Sequence, residues 1–210
     1  MIEPRRTGEV ALLLVLLAGG CASPQPMGPR AYPGALDPPA THPGGFLDRQ
    51  KVVARYGDRE VTFDAVLQKH DDELLLLGMT PFGSRAFVVR QTGHDVSFDT
   101  YVAQTLAFPP RYILIDVHRI FLAGLAAPGS ALSDGAHEAA RDGEIVTERW
   151  RGGRLRERRF RRADGDPPGE IRVDYGDGMA ADGTPPAHIS LFNGWLGYRL
   201  DITTLSHQPL

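Results

Sequence analysis

The sequence predicts a mainly β protein, built of antiparallel hairpins with one covering helix. Short runs in which apolar and polar residues alternate recur along the chain, with turns bearing Gly or Pro between them. Only one run repeats its apolar residues at helical spacing.

The elements follow in order. Arg5 and Arg6 precede the apolar run Val10 to Ala18, which is too brief to span a bilayer and reads, over residues 1–20, as a secretory signal. The run ends in Leu17-Ala18-Gly19-Gly20-Cys21, with the chain's single cysteine. This stretch resembles a bacterial lipobox, in which that cysteine is diacylated and becomes the new N-terminus. Ala18 departs from the pattern, standing where Leu is commoner. The resemblance implies a lipid on Cys21, and Ala22 in place of Asp gives no inner-membrane retention signal. The implied address is the periplasmic face of the outer membrane. An ordinary cleaved secretory signal is the alternative; a twin-arginine signal is opposed by Glu9 and the missing apolar follow-on. One Cys permits no intramolecular disulfide.

Residues 21–45 are crowded with Pro and Gly and read as a lipidated cysteine followed by a disordered tether. Residues 46–210 have the length of one domain with a real core. A net charge of -3 argues against a general nucleic-acid binder.

Within the domain, Val61, Phe63 and Leu67 keep step on one strand face, Lys69-His70-Asp71-Asp72 forms a polar turn, and Leu74 to Leu77 begins the return strand. That return is apolar on both faces, so each face is expected to meet something greasy. Thr80-Pro81-Phe82-Gly83-Ser84 is a turn with an aromatic at its tip, followed by a strand over Ala86 to Arg90, the Gly93-His94-Asp95 turn and a strand over Val96 to Tyr101. Pro109-Pro110 announces the helix, which carries Ile113, Val117, Ile120 and Phe121 on one stripe and closes near Gly124. A loop is expected over Ala126 to Asp142. Strands Glu144 to Arg151 and Arg154 to Arg161 then flank Gly152-Gly153. A two-residue turn there sets Glu148 against Glu157 and Arg149 against Arg156, and a bulge or longer loop relieves those like charges. Ile171 to Tyr175 is a further strand, a loop spans Gly176 to Pro186, and a closing hairpin carries Ile189 and Leu191, then Tyr198, Leu200 and Ile202.

Three stretches resemble the LolA/LolB lipoprotein-sorting superfamily, LolB above all: Leu75 to Arg90, Phe108 to Leu125 and Pro186 to Thr203. The chain is most similar to bacterial lipoproteins of that superfamily classed as a domain of unknown function. The resemblance implies a curved antiparallel half-barrel closed on its concave side by helices, around an apolar cavity that accepts acyl chains. It implies that Leu75, Leu77, Val88, Val117, Phe121 and Leu200 line this cavity. It also implies that Pro81, Phe82 and Gly83 form a membrane-insertion loop, although Phe stands where LolB has an aliphatic residue. Acyl burial contributes about 0.8 kcal/mol per CH2 and needs no polar recognition.

Competing chemistries find less support. His70-Asp71-Asp72-Glu73 offers metal ligands, but consecutive residues point different ways. Asp116 and His118 do not share a helix face. Ser84, Ser130 and Ser190 lack a nucleophile-elbow glycine pattern. The Arg-rich pair Arg149 to Arg162 could seat anionic head groups, but reads as a solvated face balanced by Glu148 and Glu157. The expectation is a non-enzymatic outer-membrane lipoprotein without metal or cofactor that carries acyl-chain or lipoprotein cargo. Its partners would be the membrane, through its lipid, and a periplasmic carrier protein. A structural lipoprotein scaffolding an envelope complex is the alternative, and an envelope hydrolase the third reading.

Overall fold

The computed structural model describes residues 32–103 and 109–210. The leader and Cys21 lie outside the described residues. Eleven strands form one antiparallel sheet: β1 (Phe46–Tyr56), β2 (Arg59–His70), β3 (Glu73–Met79), β4 (Arg85–Thr92), β5 (Asp95–Thr100), β6 (Gly135–Arg141), β7 (Glu144–Arg151), β8 (Arg154–Arg162), β9 (Glu170–Met179), β10 (His188–Asn193) and β11 (Tyr198–Pro209). Their spatial order is β5-β4-β3-β2-β1-β11-β10-β9-β8-β7-β6. Two meanders thus join where β1 pairs with β11, from Phe46 opposite Pro209 to Tyr56 opposite Tyr198. Helix α1 (Pro110–Val117) continues as a π-helical turn, His118–Leu122. The mainly β, antiparallel expectation with one covering helix holds.

The sheet curls around this helix. His118 bonds Gln91 of β4 and Arg119 bonds Glu144 of β7, although these strands stand eight spacings apart, about 38 Å in a flat sheet. Residues paired across antiparallel strands share a face. Val52, Leu67, Leu76, Val89, Ile202, Leu191, Val173 and Phe160 all point inward and are buried. Leu74 and Leu76 point the same way, so Leu75 and Leu77 face the convex side. There Leu77 is flanked by Val66 and Val88, a lateral apolar patch that leaves each half-exposed. The second greasy surface of that strand is therefore its neighbours on the sheet, and the assignment of Leu75, Leu77 and Val88 to an interior cavity is corrected. Alternation fixes which residues share a face, and a run apolar throughout does not tell inside from outside.

β1 is a strand not named from the sequence, and three boundaries differ from expectation. β6 occupies part of the expected 126–142 loop, because GAHEAAR carries almost no β-branched or aromatic signal on a largely exposed edge strand. β9 runs on to Met179 through Gly176 and Gly178. Residues 32–45, expected within the tether, are packed: Tyr32 is 6% exposed and Leu36 2%. Two buried side chains outweigh the Pro and Gly count, and prolines suit a segment that needs no strand ladder.

This segment, Tyr32 to Asp37, is a strap across the concave face. Asp37 joins both wings of the sheet, its carbonyl accepting from Gln91 Nε2 of β4 (2.8 Å) and its carboxylate from Arg141 of β6 (2.5 Å). Gly34 has φ +107°, and a Cβ there would stand 2.7 Å from Arg119 Nη2 and 2.8 Å from Ile115 Cγ2. Only glycine fits that conformation and clearance without strain.

Gly34→Ala is expected to destabilise the fold by about 2 kcal/mol or more, through backbone strain and overpacking together. Gly129→Ala, also at positive φ but with open space around it, is expected to cost less. Thermal unfolding of both variants checks the difference.

Candidate functional site

The helix is held by ionic contacts. Asp116 and Arg119 are three apart on one helical face, and their side chains pair at 2.8 Å. Arg119 also donates to Glu144 Oε1 (2.6 Å), the Pro33 carbonyl (2.6 Å) and the Tyr32 hydroxyl (3.0 Å). The Tyr32 hydroxyl donates to Asp116 Oδ1 (2.5 Å), Asn193 Nδ2 donates to Asp116 Oδ2 (2.9 Å), and Tyr198 donates to that same oxygen. The guanidinium lies over the rings of Tyr32, Phe160 and Trp195, at 5.1, 5.3 and 5.2 Å from their centroids and so within cation–π range. Burial and the Asp116 charge push both the Tyr32 and Tyr198 hydroxyls well above their ordinary range, so both stay protonated donors. Such a cluster fixes helix, strap and sheet in one arrangement.

The last helical carbonyls are capped from the sheet. Arg158 Nη1 donates to the Arg119 carbonyl (2.7 Å) and the Tyr175 hydroxyl to the Ile120 carbonyl (2.8 Å). Glu148 receives Arg158 Nε (2.8 Å), Trp150 Nε1 (2.9 Å) and the Leu125 amide (3.2 Å). The expected bulge makes this possible. Pairing shifts between Arg149 and Trp150, so Glu148 faces Arg158 and Arg149 faces Glu157, turning like charges into opposite ones.

Beyond the capped helix end lies a cavity of about 450 Å3. This falls within the roughly 300–1,000 Å3 of small-molecule sites. Its apolar wall is Phe46, Phe121, Leu122, Trp150, Leu155 and Met179. Its polar wall holds Lys69, His42, the Asp48–His207 pair (2.6 Å) and the Glu148–Arg158 pair. Every lining strand residue lies towards one rim of the sheet, where β1 begins and β2 and β11 end. Phe82, 94% exposed, tips the β3–β4 turn at the opposite rim.

Of the residues named from the sequence, Phe121 lines this cavity. Val117 is buried and Leu200 partly buried in the packed core, neither of them on the cavity wall. Pro81, Phe82 and Gly83 form an exposed turn closed by the Gly83 amide on the Thr80 carbonyl (2.9 Å). His70 and Asp71 are a solvated turn, and among the described residues no group of three or more His, Cys, Asp or Glu could hold a metal ion. His118 Nε2 meets Gln91 Oε1 (2.7 Å) while Asp116 turns to Tyr198 and Asn193, so these helix residues act apart. Lys69, Asp48, Glu148 and Arg158 were not singled out as interior groups, though each falls in the inward phase of its strand, and that phase is the signal that finds them.

The family model described as "Protein of unknown function (DUF3261)" matches residues 48–206. The chain belongs to this DUF3261 family. No curated protein matches it. Among solved structures, the DUF3261 chain is similar to a LolA superfamily protein from Nitrosomonas europaea, at 12% identity and TM-score 0.41, covering 79% of this chain and 86% of the other. It is similar to a Vibrio parahaemolyticus domain described as an outer membrane lipoprotein-sorting protein, at 10% identity and TM-score 0.42, covering 79% and 85%. It is also similar to a DUF1329 family protein from Desulfovibrio piger, at 11% identity and TM-score 0.34, covering 81% and 87%. Likeness at this level is one of overall chain path and says nothing of ligand.

Two outcomes follow for the DUF3261 chain. Arg119→Met leaves Asp116 and Glu144 buried without their cation and is expected to cost about 3–5 kcal/mol in denaturant unfolding. Burial, reinforced by His42, lowers the His118 pKa to about 4 from 6.5. The unfolded chain therefore binds more protons between those values, so this group's contribution is complete above pH 6.5 and falls away towards pH 4. Asp48 and Glu144, whose pKa values burial raises, act in the opposite sense. His118→Gln is expected to flatten the acid side of the stability–pH curve between pH 6.5 and 4, and unfolding midpoints across that range check it.

Proposed function

We propose that this protein is a lipid-anchored lipoprotein of the outer membrane's periplasmic face that binds an acyl chain, its own cargo or that of a lipoprotein, in the cavity beyond the helix. The observation that carries the reading is the cavity itself: about 450 Å3, walled by Phe46, Phe121, Leu122, Trp150, Leu155 and Met179. Acyl chains are held by area rather than by directed bonds, so six large apolar side chains around one open space suit them. Among the described residues no helix is long and apolar enough to cross a membrane. Attachment through Cys21 is part of the proposal.

The Phe82 turn is proposed as a membrane contact. An aromatic at a tight, exposed turn can enter the interface with little conformational cost. Its rim is also where the strap begins, since Tyr32 lies against Trp195 in the β10–β11 turn (6.2 Å between rings). An anchor on Cys21 would then draw this rim to the bilayer and leave the cavity mouth facing the periplasm. In this arrangement Pro81, Phe82 and Gly83 dock the protein, and cargo or a carrier protein meets the other rim. The packed middle of the concave face, filled by Tyr32, Leu36, Tyr112 and Leu114, supports the second reading, a scaffold of an envelope complex without ligand.

Native mass spectrometry of the chain from Ala22 to Leu210, purified without detergent, decides between them. A stoichiometric acyl-chain ligand is expected, and Ala126→Trp, at a partly buried position of the cavity's loop wall, is expected to abolish it. An apo mass with no uptake of added lipid would overturn the binding reading and favour the scaffold. Phe82→Glu is expected to leave ligand content unchanged and to reduce association with phospholipid vesicles about tenfold, measured by co-sedimentation.

A further inference from the structure

We infer that the cavity selects a single-chain amphiphile with an oxyanion head, a carboxylate or a phosphate, and that Lys69 receives that head. The inference rests on the acyl-chain reading above and names its ligand more closely.

Lys69 is the last inward-facing residue of β2 and is only 2% exposed. Its Nζ donates to the Gly44 carbonyl (2.6 Å) and lies 3.5 Å from the Asp71 carbonyl. An ammonium has three donors and a full charge. Among the described residues no carboxylate stands within 4 Å of it; its hydrogen bonds go to neutral carbonyls, and Asp71 and Asp72 act on its charge only from farther off. Burying an ammonium without a counter-charge is costly, and an incoming anion relieves that cost. Burial also holds the Lys69 pKa below its ordinary value, the direction expected of a cation short of a partner.

The side-chain carboxylates that share the cavity are committed elsewhere. Asp48 bonds His207, and Glu148 bonds Arg158, Trp150 and the Leu125 amide. Asp182, at the loop, accepts from the Thr184 amide (2.9 Å). A second group on the same wall is also open, since His42 Nε2 is buried with no hydrogen-bond partner. Phe46 sits opposite Lys69 in the β1–β2 register, so the apolar wall begins beside the ammonium. A head group at Lys69, with His42 Nε2 available to it, thus leads directly to a chain lying over Phe46 and towards Phe121 and Trp150.

The test uses the chain from Ala22 to Leu210 loaded with the neutral probe N-phenyl-1-naphthylamine and displaced at pH 8 by ligands of one chain length: palmitate, 1-palmitoyl lysophosphatidate, 1-hexadecanol and hexadecylamine. At least one of the two anions is expected to displace the probe at about tenfold lower concentration than hexadecanol, and hexadecylamine less well than either, as one charge-assisted hydrogen bond would give. The stronger anion identifies the carboxylate or the phosphate as the natural head. Lys69→Met is expected to abolish this preference, both anions then displacing the probe no better than hexadecanol, and Lys69→Arg to keep it. Equal displacement by anions and alcohol in the unmodified chain, or a preference that survives Lys69→Met, would overturn the inference while leaving chain binding intact. Failure of every ligand to displace, or of the probe to enter, would overturn the acyl-chain reading as well.

Discussion

The contact on which the rest depends is the Asp116–Arg119 pair. An eleven-stranded sheet twists and tends to curl of its own accord, but that tendency sets no particular girth, and the half-barrel is fixed by what lies inside it. One carboxylate of the helix gathers the hydroxyls of Tyr32 and Tyr198 and the amide of Asn193, and one guanidinium reaches Glu144 and the Pro33 carbonyl. Strap, helix and the β6–β11 half of the sheet therefore meet at two side chains, and the neighbouring His118 ties the helix to Gln91 of β4 in the other half. Removing either leaves charges that the interior cannot solvate, so the arrangement is specified more sharply than an apolar core alone would specify it.

The same cluster explains where the cavity is. The strap and the first turns of the helix fill the middle of the concave face with Tyr32, Leu36, Tyr112 and Leu114. The helix then ends early in a π-helical turn, its carbonyls met by Arg158 and Tyr175. Past that point nothing comparable fills the space, and the loop of small residues Ala126, Ala127 and Gly129 gives it a thin outer wall. The cavity is what remains when a short helix covers a long sheet.

Much of this was legible in the sequence. The hairpins announced themselves through alternation and turns, the helix through Pro109-Pro110 and its apolar stripe, and the β7–β8 bulge through the like charges that a plain turn would have opposed. What stayed hidden has a common cause. β1 carries Asp48 and Gln50 on its inner face and so breaks the apolar alternation that marks a buried strand, while β6 has a composition suited to no element in particular. The resemblance places Leu75, Leu77 and Val88 inside, and period-two patterns offer no correction because they are blind to which side of a sheet is concave. The strap was masked by its prolines, and the buried charges by the habit of placing charge outside.

The strap also makes the half-barrel a ring with a seam. Between neighbouring strands the wall is a ladder of backbone hydrogen bonds, stiff and costly to part. Between the two wings no strands pair, and β4 is tied to β6 through one carbonyl and one carboxylate of Asp37, beside the helix contacts His118–Gln91 and Arg119–Glu144. Girth can therefore change at that one line without any strand leaving the sheet, and the residue that sets it stands on the same stretch of chain that leads back to the N-terminus. A pull on that end meets Tyr32 and Pro33, bonded to Asp116, Asn193 and Arg119, and only then the seam at Asp37.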